Sequence, residues 1–219
     1  MKDYLVLKLE GPMQAWGRES FEGLRPSELF PGRSALLGLL GACLGVDRLD
    51  TKGQYMLAKS VQFAVRIDQQ GQKMTDYHTV KNARKEYSGL KSHETIQTWR
   101  EYWQDAKYTV LVWLVDDADI TLLDIDAAVK KPVYTPVLGR RSCALSRPLY
   151  EGQVSAQSAL MAFSLCEPMG GTIYSDEFDE KAIPLKKRDV PIIDRPRQFA
   201  SRCVYMTKPK KEGVLHVSE

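Results

Sequence analysis

The chain has 219 residues, 43% of them hydrophobic and 27% charged, with a net charge of +3. This suits one large domain, or one domain with an elaborated end, and the weak basic excess permits an anionic partner without demanding one. Several classes are disfavoured at once. Cys43, Cys143, Cys166 and Cys203 form no C-x-x-C pair, and His78, His93 and His216 stand at no metal-ligand spacing from them, so neither a metal nor another cofactor is expected. The opening MKDYLVLKLEGP carries charges where a signal peptide needs an apolar run, and no stretch approaches the ~18 apolar residues of a membrane span. The expected setting is cytoplasmic, with reduced thiols and no membrane.

Tyr4 to Leu9 alternates and reads as a strand with one buried face, closed by Gly11-Pro12. A polar loop follows from Met13 to Gly32. Ser34 then precedes ALLGLLGACLG, a buried helix with Ser34 as N-cap and Gly45 as its left-handed stop. Gly38 and Gly41 would let this helix lie close to a sheet or another chain, and its all-round apolar character suggests that part of its surface expects a partner. Ser60 to Asp68 alternates as a second strand. Tyr108 to Val115 is more continuous and reads as a strand buried on both faces or at the sheet centre. Ile120 to Lys130 is amphipathic with an acidic first turn, which suits a second helix.

That order is most of a βαββαβ unit with about forty residues inserted in its central hairpin, too many for a free loop and therefore a functional projection. Seven prolines from Pro132 to Pro196 break the last third into short strands and loops packed on the first unit. The expected division is 1–150, with the insertion at about 70–107, and a C-terminal segment 151–219 whose tail frays after about 207.

The charge is unevenly spread. Lys130 to Tyr150 holds Lys130, Lys131, Arg140, Arg141 and Arg147 with no acid, whereas Asp116 to Asp126 holds five aspartates and no base. A solvated acidic helix beside a basic loop would explain this. The alternative is a surface tracking a nucleic-acid backbone: Gly139 would let a phosphate approach the main chain, and the forks of Arg140 and Arg141 suit phosphate oxygens or base edges. The insertion interleaves Lys81, Arg84, Lys85, Lys91, Arg100 and Lys107 with Tyr77, Tyr87, Trp99, Tyr102 and Trp103, the mixture single-stranded nucleic acid requires. TIQTWREYW fits both helical spacing and strand alternation, so periodicity leaves its form open. A third basic cluster runs from Lys181 to Arg202, where Arg197 and Arg202 flank Phe199, expected to be buried.

Metal-free RNA cleavage needs a base, an acid and a cation around one phosphate. His78 with Tyr77 and Lys81, or Lys91 with His93, contain such groups in no specific pattern. The carboxylate pairs Asp116-Asp117 and Asp124-Asp126 are explained by capping and dipole effects. There is no P-loop, nucleophile elbow or dinucleotide fingerprint. Binding is favoured over catalysis.

GPMQAWG, FPGRSALLGLLGACLG, DYHTV, GLKSHETIQTWREY, YTPVLGRRSC, PMGGTIYS and RPRQFASR occur in that order along nearly the whole chain. Together they closely resemble the crRNA 5′-handle-binding subunits of type I-E CRISPR Cascade complexes, the Cas "five" family of the RAMP superfamily. The resemblance implies an α+β fold: a ferredoxin-like (RRM-like) βαββαβ palm, an inserted β-hairpin thumb containing 96–103 as strand, and an irregular β-rich C-terminal segment. It implies a non-catalytic subunit that caps the 5′ handle of the crRNA, touches the CasA large subunit and the CasC backbone subunit, and serves defence against foreign DNA, which it meets only indirectly. The cutting belongs to CasE. Three alternatives stay open: a metal-independent endoribonuclease of the type I-C kind, the equivalent subunit of a transposon-encoded Cascade, and a general single-strand RNA-binding module.

The candidate contacts follow. Arg33 and Ser34 lie where free helix N–H groups favour a phosphate. Gln14 and Trp16, in the loop before that helix, are candidates to read or stack a base. Arg140, Arg141 and Ser142 should meet phosphate or base edges opposite, with Tyr134 a candidate stacking ring. Lys91, Ser92, His93 and Arg100 would lay the thumb across the RNA, where His78 is a contact, and Arg197 would close the site from the C-terminal segment.

Overall fold

The computed structural model describes residues 1–81, 95–195 and 197–208. In chain order it contains β1 (Lys2–Glu10), the two-residue strands β2 (Met13–Gln14), β3 (Trp16–Gly17), β4 (Leu24–Arg25) and β5 (Ser27–Glu28), then α1 (Arg33–Leu44) and α2 (Thr51–Ser60). There follow β6 (Val61–Gln69), β7 (Gln72–Lys81), β8 (Thr95–Gln104), β9 (Lys107–Leu114), α3 (Leu122–Lys130) and β10 (Tyr150–Ala156). The chain continues with α4 (Ala159–Phe163), β11 (Thr172–Ser175), β12 (Ile183–Pro191) and β13 (Phe199–Thr207).

One seven-stranded antiparallel sheet runs β10-β1-β9-β6-β11-β13-β12. Along the chain, β1, α1, β6, β9 and α3 follow one another as the sequence predicts, with the unpredicted α2 before β6 and the β7–β8 hairpin in the place of the insertion. β1 is more buried than expected. Leu5, Leu7 and Leu9 enter the core beneath α1 and α3, while Tyr4 and Val6 face a second core with Trp113 and Phe163. The cause is position: β1 lies between β9 and β10, and α4 covers the face expected to meet solvent. β9 is buried on both faces, as its unbroken apolar run predicts.

α1 ends as expected on Gly45, at φ 75°. Its start differs. The N-cap is Gly32, Ser34 lies within the helix, and the first free N–H, from Arg33, is accepted by Asp189 at 2.8 Å. Nor does its apolar surface wait for a partner, because Leu36, Leu37, Leu39 and Leu40 are buried within the chain. Each such leucine contributes about 1.5–3 kcal/mol. α2 was not predicted. It is a polar helix that buries only Leu57 and Ser60, and Asp50 caps it by accepting the Gly53 N–H.

The C-terminal strands extend this sheet beyond β6. The division expected at 150 falls at the first residue of β10, which pairs with β1. Ion pairs lock the C-terminal hairpin onto the start of α1. Arg202 bridges Asp176 and Asp189, and Arg33 joins Asp176 at 2.9 Å. Burial pushes the Asp189 carboxyl up, but Arg202 and the Arg33 N–H outweigh it and hold it below its ordinary value. A depressed folded value means the stabilisation is complete above the ordinary aspartate range near pH 4 and is lost as pH falls through the folded value. The urea-midpoint difference between wild type and Asp189→Asn should therefore be constant near neutrality and shrink below about pH 4.

β7 and β8 form a hairpin with ten consecutive pairs, from Gln72↔Gln104 to Lys81↔Thr95. Residues 96–103 are thus strand. The other edge of β8 pairs with β2 and, in parallel, with β4. Among the described residues no helix is long and apolar enough to cross a membrane, and no group of three or more His, Cys, Asp or Glu could hold a metal ion.

Candidate nucleic-acid interface

A cleft of about 710 Å³ opens between the β7–β8 hairpin and the 139–142 loop. β7 contributes Met74, Asp76 and His78, and β8 contributes Arg100 and Tyr102. The two-residue strand period puts these on one face, with Met74↔Tyr102 and Asp76↔Arg100 as cross-strand pairs. The opposite wall is Arg140, Arg141 and Ser142, and Met13 of β2 joins the lining. Arginines at 100, 140 and 141 and a histidine thus converge from stretches 40 residues apart, with Asp76 the one carboxylate among the described lining residues.

The loop is held rigidly. Gly139 sits at φ 90°, and a Cβ there would come within 1.8 Å of the Ala15 carbonyl oxygen, so only glycine permits this approach. The Ala15 N–H donates to Leu138 O, the Leu138 N–H to Cys143 O, and the Cys143 N–H to Arg140 O. Arg140 is a strut. Its guanidinium lies 4.5 Å from the Tyr102 ring centre and donates to Glu101 O at 3.1 Å and Arg25 O at 2.9 Å. It ties the loop to the base of the hairpin. Arg141 and Ser142 are exposed beside it, and among the described residues Arg141 has no ion-pair or hydrogen-bond partner. Arg100 uses Nε on Thr98 Oγ1 at 3.1 Å. His78 Nδ1 lies 3.9 Å from Asp76.

His78, Arg100, Arg140, Arg141 and Ser142 are therefore brought together. Other candidates lie elsewhere. Arg33 donates to Asp176, Ala58 O and Val61 O, and the helix start it was expected to offer a phosphate is occupied by Asp189. Ser34 is half-buried in the same turn. Gln14 is fully buried, donating to Ala106 O at 2.6 Å, and Trp16 is buried edge-on to Tyr108. Neither is free to read a base, because the segment before α1 is tucked against the sheet as β2 and β3. Tyr134 is half-exposed near the end of α1, where its N–H donates to Ala42 O. Arg197 is exposed in the β12–β13 turn, and neither it nor Tyr134 lines the cleft. Phe199, expected to be buried, is half-buried. Lys91, Ser92 and His93 lie outside the described residues. Met13, Met74, Asp76 and Tyr102 were not assigned from sequence. Strand alternation from His78 and Arg100 would have found the last three.

The family model for CRISPR-associated protein Cas5 matches residues 4–205, which include both walls of the cleft. The chain belongs to the Cas5 family. It is 52% identical, over the full length of both chains, to CRISPR system Cascade subunit CasD of Escherichia coli (strain K12). A chain of a CRISPR RNA-guided surveillance complex matches this Cas5 fold with a TM-score of 0.73 and 26% identity, over 94% of this chain and 90% of that one. A crystal structure of a Cas protein matches with a TM-score of 0.65 and 26% identity, over 94% and 95%. The mixed α/β, strand-rich architecture is shared with these Cas structures.

Proposed function

We propose that this Cas5 chain is the non-catalytic subunit of a type I-E Cascade that holds the 5′ handle of the crRNA in the cleft between hairpin and loop. One observation carries this reading: Arg100 and His78 on the hairpin face Arg141 and Ser142 on the loop, and among the described residues no carboxylate neutralises Arg141. Exposed Arg141 on one wall and Arg100, with its terminal nitrogens unused among the described residues, on the other suit a polyanion passing between them. The β10-β1-β9-β6 unit with α1 and α3 is then a ferredoxin-like palm and the hairpin its thumb. The partners are crRNA and the CasA and CasC subunits, and the role is guidance of antiviral defence, with target DNA met only through the complex.

His78 beside Asp76 favours one second reading, metal-independent RNA cleavage, since an imidazole next to a phosphate-binding cation is a usable base. One experiment separates these. Purified protein is incubated in EDTA with labelled handle RNA and with a scrambled RNA of equal length. The proposal expects intact RNA and at least about tenfold preference for the handle. Specific cleavage lost in His78→Ala would make the protein a ribonuclease, and equal affinity would make it a general RNA-binding module.

A further inference from the structure

The hairpin has a second face. The side chains of Met74, Asp76 and His78 in β7 turn into the cleft, and those at 73, 75, 77 and 79 are exposed. On this outer face Tyr77 pairs with Trp99 across β7 and β8, and Leu24 of β4 pairs with Trp99 from the other side. In-register partners point the same way, so these three side chains form one row across three strands. They are 52%, 43% and 56% exposed. The rings of Tyr77 and Trp99 lie 5.5 Å apart at 55°. The row is preorganised, because Gly23 runs so close beneath Trp99 that a Cβ there would come within 3.1 Å of the indole.

We infer that this row is a docking surface for a neighbouring protein subunit that presents an uncharged, apolar patch. The inference rests on the reading that the chain works inside a multi-subunit complex. Charge selects the occupant. A platform for single-stranded nucleic acid needs cations beside its rings. Among the described side chains this face carries Lys73 and Glu101, which pair at 2.8 Å and cancel. At its root Glu28 takes Lys187 at 2.8 Å and Arg18 at 3.7 Å. The two faces thus divide the aromatic and basic residues that alternate along the strands: guanidinium groups face the cleft and half-exposed rings face away. An aromatic, charge-neutral centre is the composition of a protein interface core.

The test begins with wild-type protein. Hydroxyl-radical footprinting of Tyr77 and Trp99 is compared for the free chain, the chain with handle RNA, and the assembled complex. Both rings should react in the first two and be protected in the third. Protection by RNA alone would make the row a base-stacking platform and overturn the inference, as would continued reactivity in the complex. Tyr77→Ser with Trp99→Ser should reduce incorporation into the co-expressed complex by roughly tenfold or more. Handle affinity of the isolated chain should stay within about twofold. Normal incorporation of the variant would contradict the inference while leaving the cleft reading intact. A wild-type chain that joins no complex would instead defeat the reading on which it rests.

Discussion

Asp68→Ala lowers the free energy of unfolding by about 3–5 kcal/mol, because it leaves buried charge uncompensated. Asp68 on β6 receives Arg66 Nε at 2.6 Å and Lys8 Nζ at 3.4 Å, and its side chain and theirs are at most 5% exposed. Thr109 donates to the same carboxylate. Without it, two cations face each other in the sheet, left with neutral partners such as Thr109 and main-chain carbonyls. Arg66 also donates to Phe163 O and Cys166 O, and Lys8 to Glu167 O, so the network fastens the end of α4 over the second core. Urea unfolding checks this: the midpoint should fall with an unchanged slope. A loss below about 1 kcal/mol would mean that the network is solvated and carries little stability.

Arg100→Ala combined with Arg141→Ala weakens binding of handle RNA by roughly 100-fold or more, the scale of two lost charge-assisted contacts. The plot of log affinity against log salt flattens by about 0.7 for each phosphate contact removed on a single strand. Arg140 behaves differently. Its donors already serve Glu101 O and Arg25 O, and its plane lies on Tyr102. Arg140→Ala should therefore lower the melting temperature and loosen the cleft, weakening binding without changing the salt slope. Arg140→Lys should not rescue it, since an ammonium cannot span two carbonyls and stack on a ring as the fork does. If Arg140→Ala flattened the slope as Arg141→Ala does, the strut assignment would fail.

Much of this was legible in the chain. β1, β6, β9, α1 and α3 are long periodic elements whose apolar pattern decides their type. α2 was hidden because a helix burying one leucine has almost no pattern, and two-residue strands such as β2 have none. In the site, the arginines around Gly139 and the basic, aromatic insertion could be singled out as composition. Which residues share a face could not, until the form of 96–103 was known. The errors have one cause. Arg33 was offered to a phosphate because its true partners, Asp176 and Asp189, lie over 140 residues away. Gln14 and Trp16 read as part of a polar loop because nothing local shows that this segment packs beneath the 138–143 loop.

The central claim is that the cleft between hairpin and loop holds the 5′ handle. It is tested most directly by assembling the complex on crRNA carrying a photoreactive uridine at successive positions and mapping the cross-linked peptides. The account predicts that handle nucleotides cross-link to Met74, Asp76, His78, Arg100 and Tyr102 on the hairpin and to residues 139–142 on the loop. Handle cross-links that fall instead on α1, α2 or the C-terminal hairpin, with the cleft unlabelled, would contradict it.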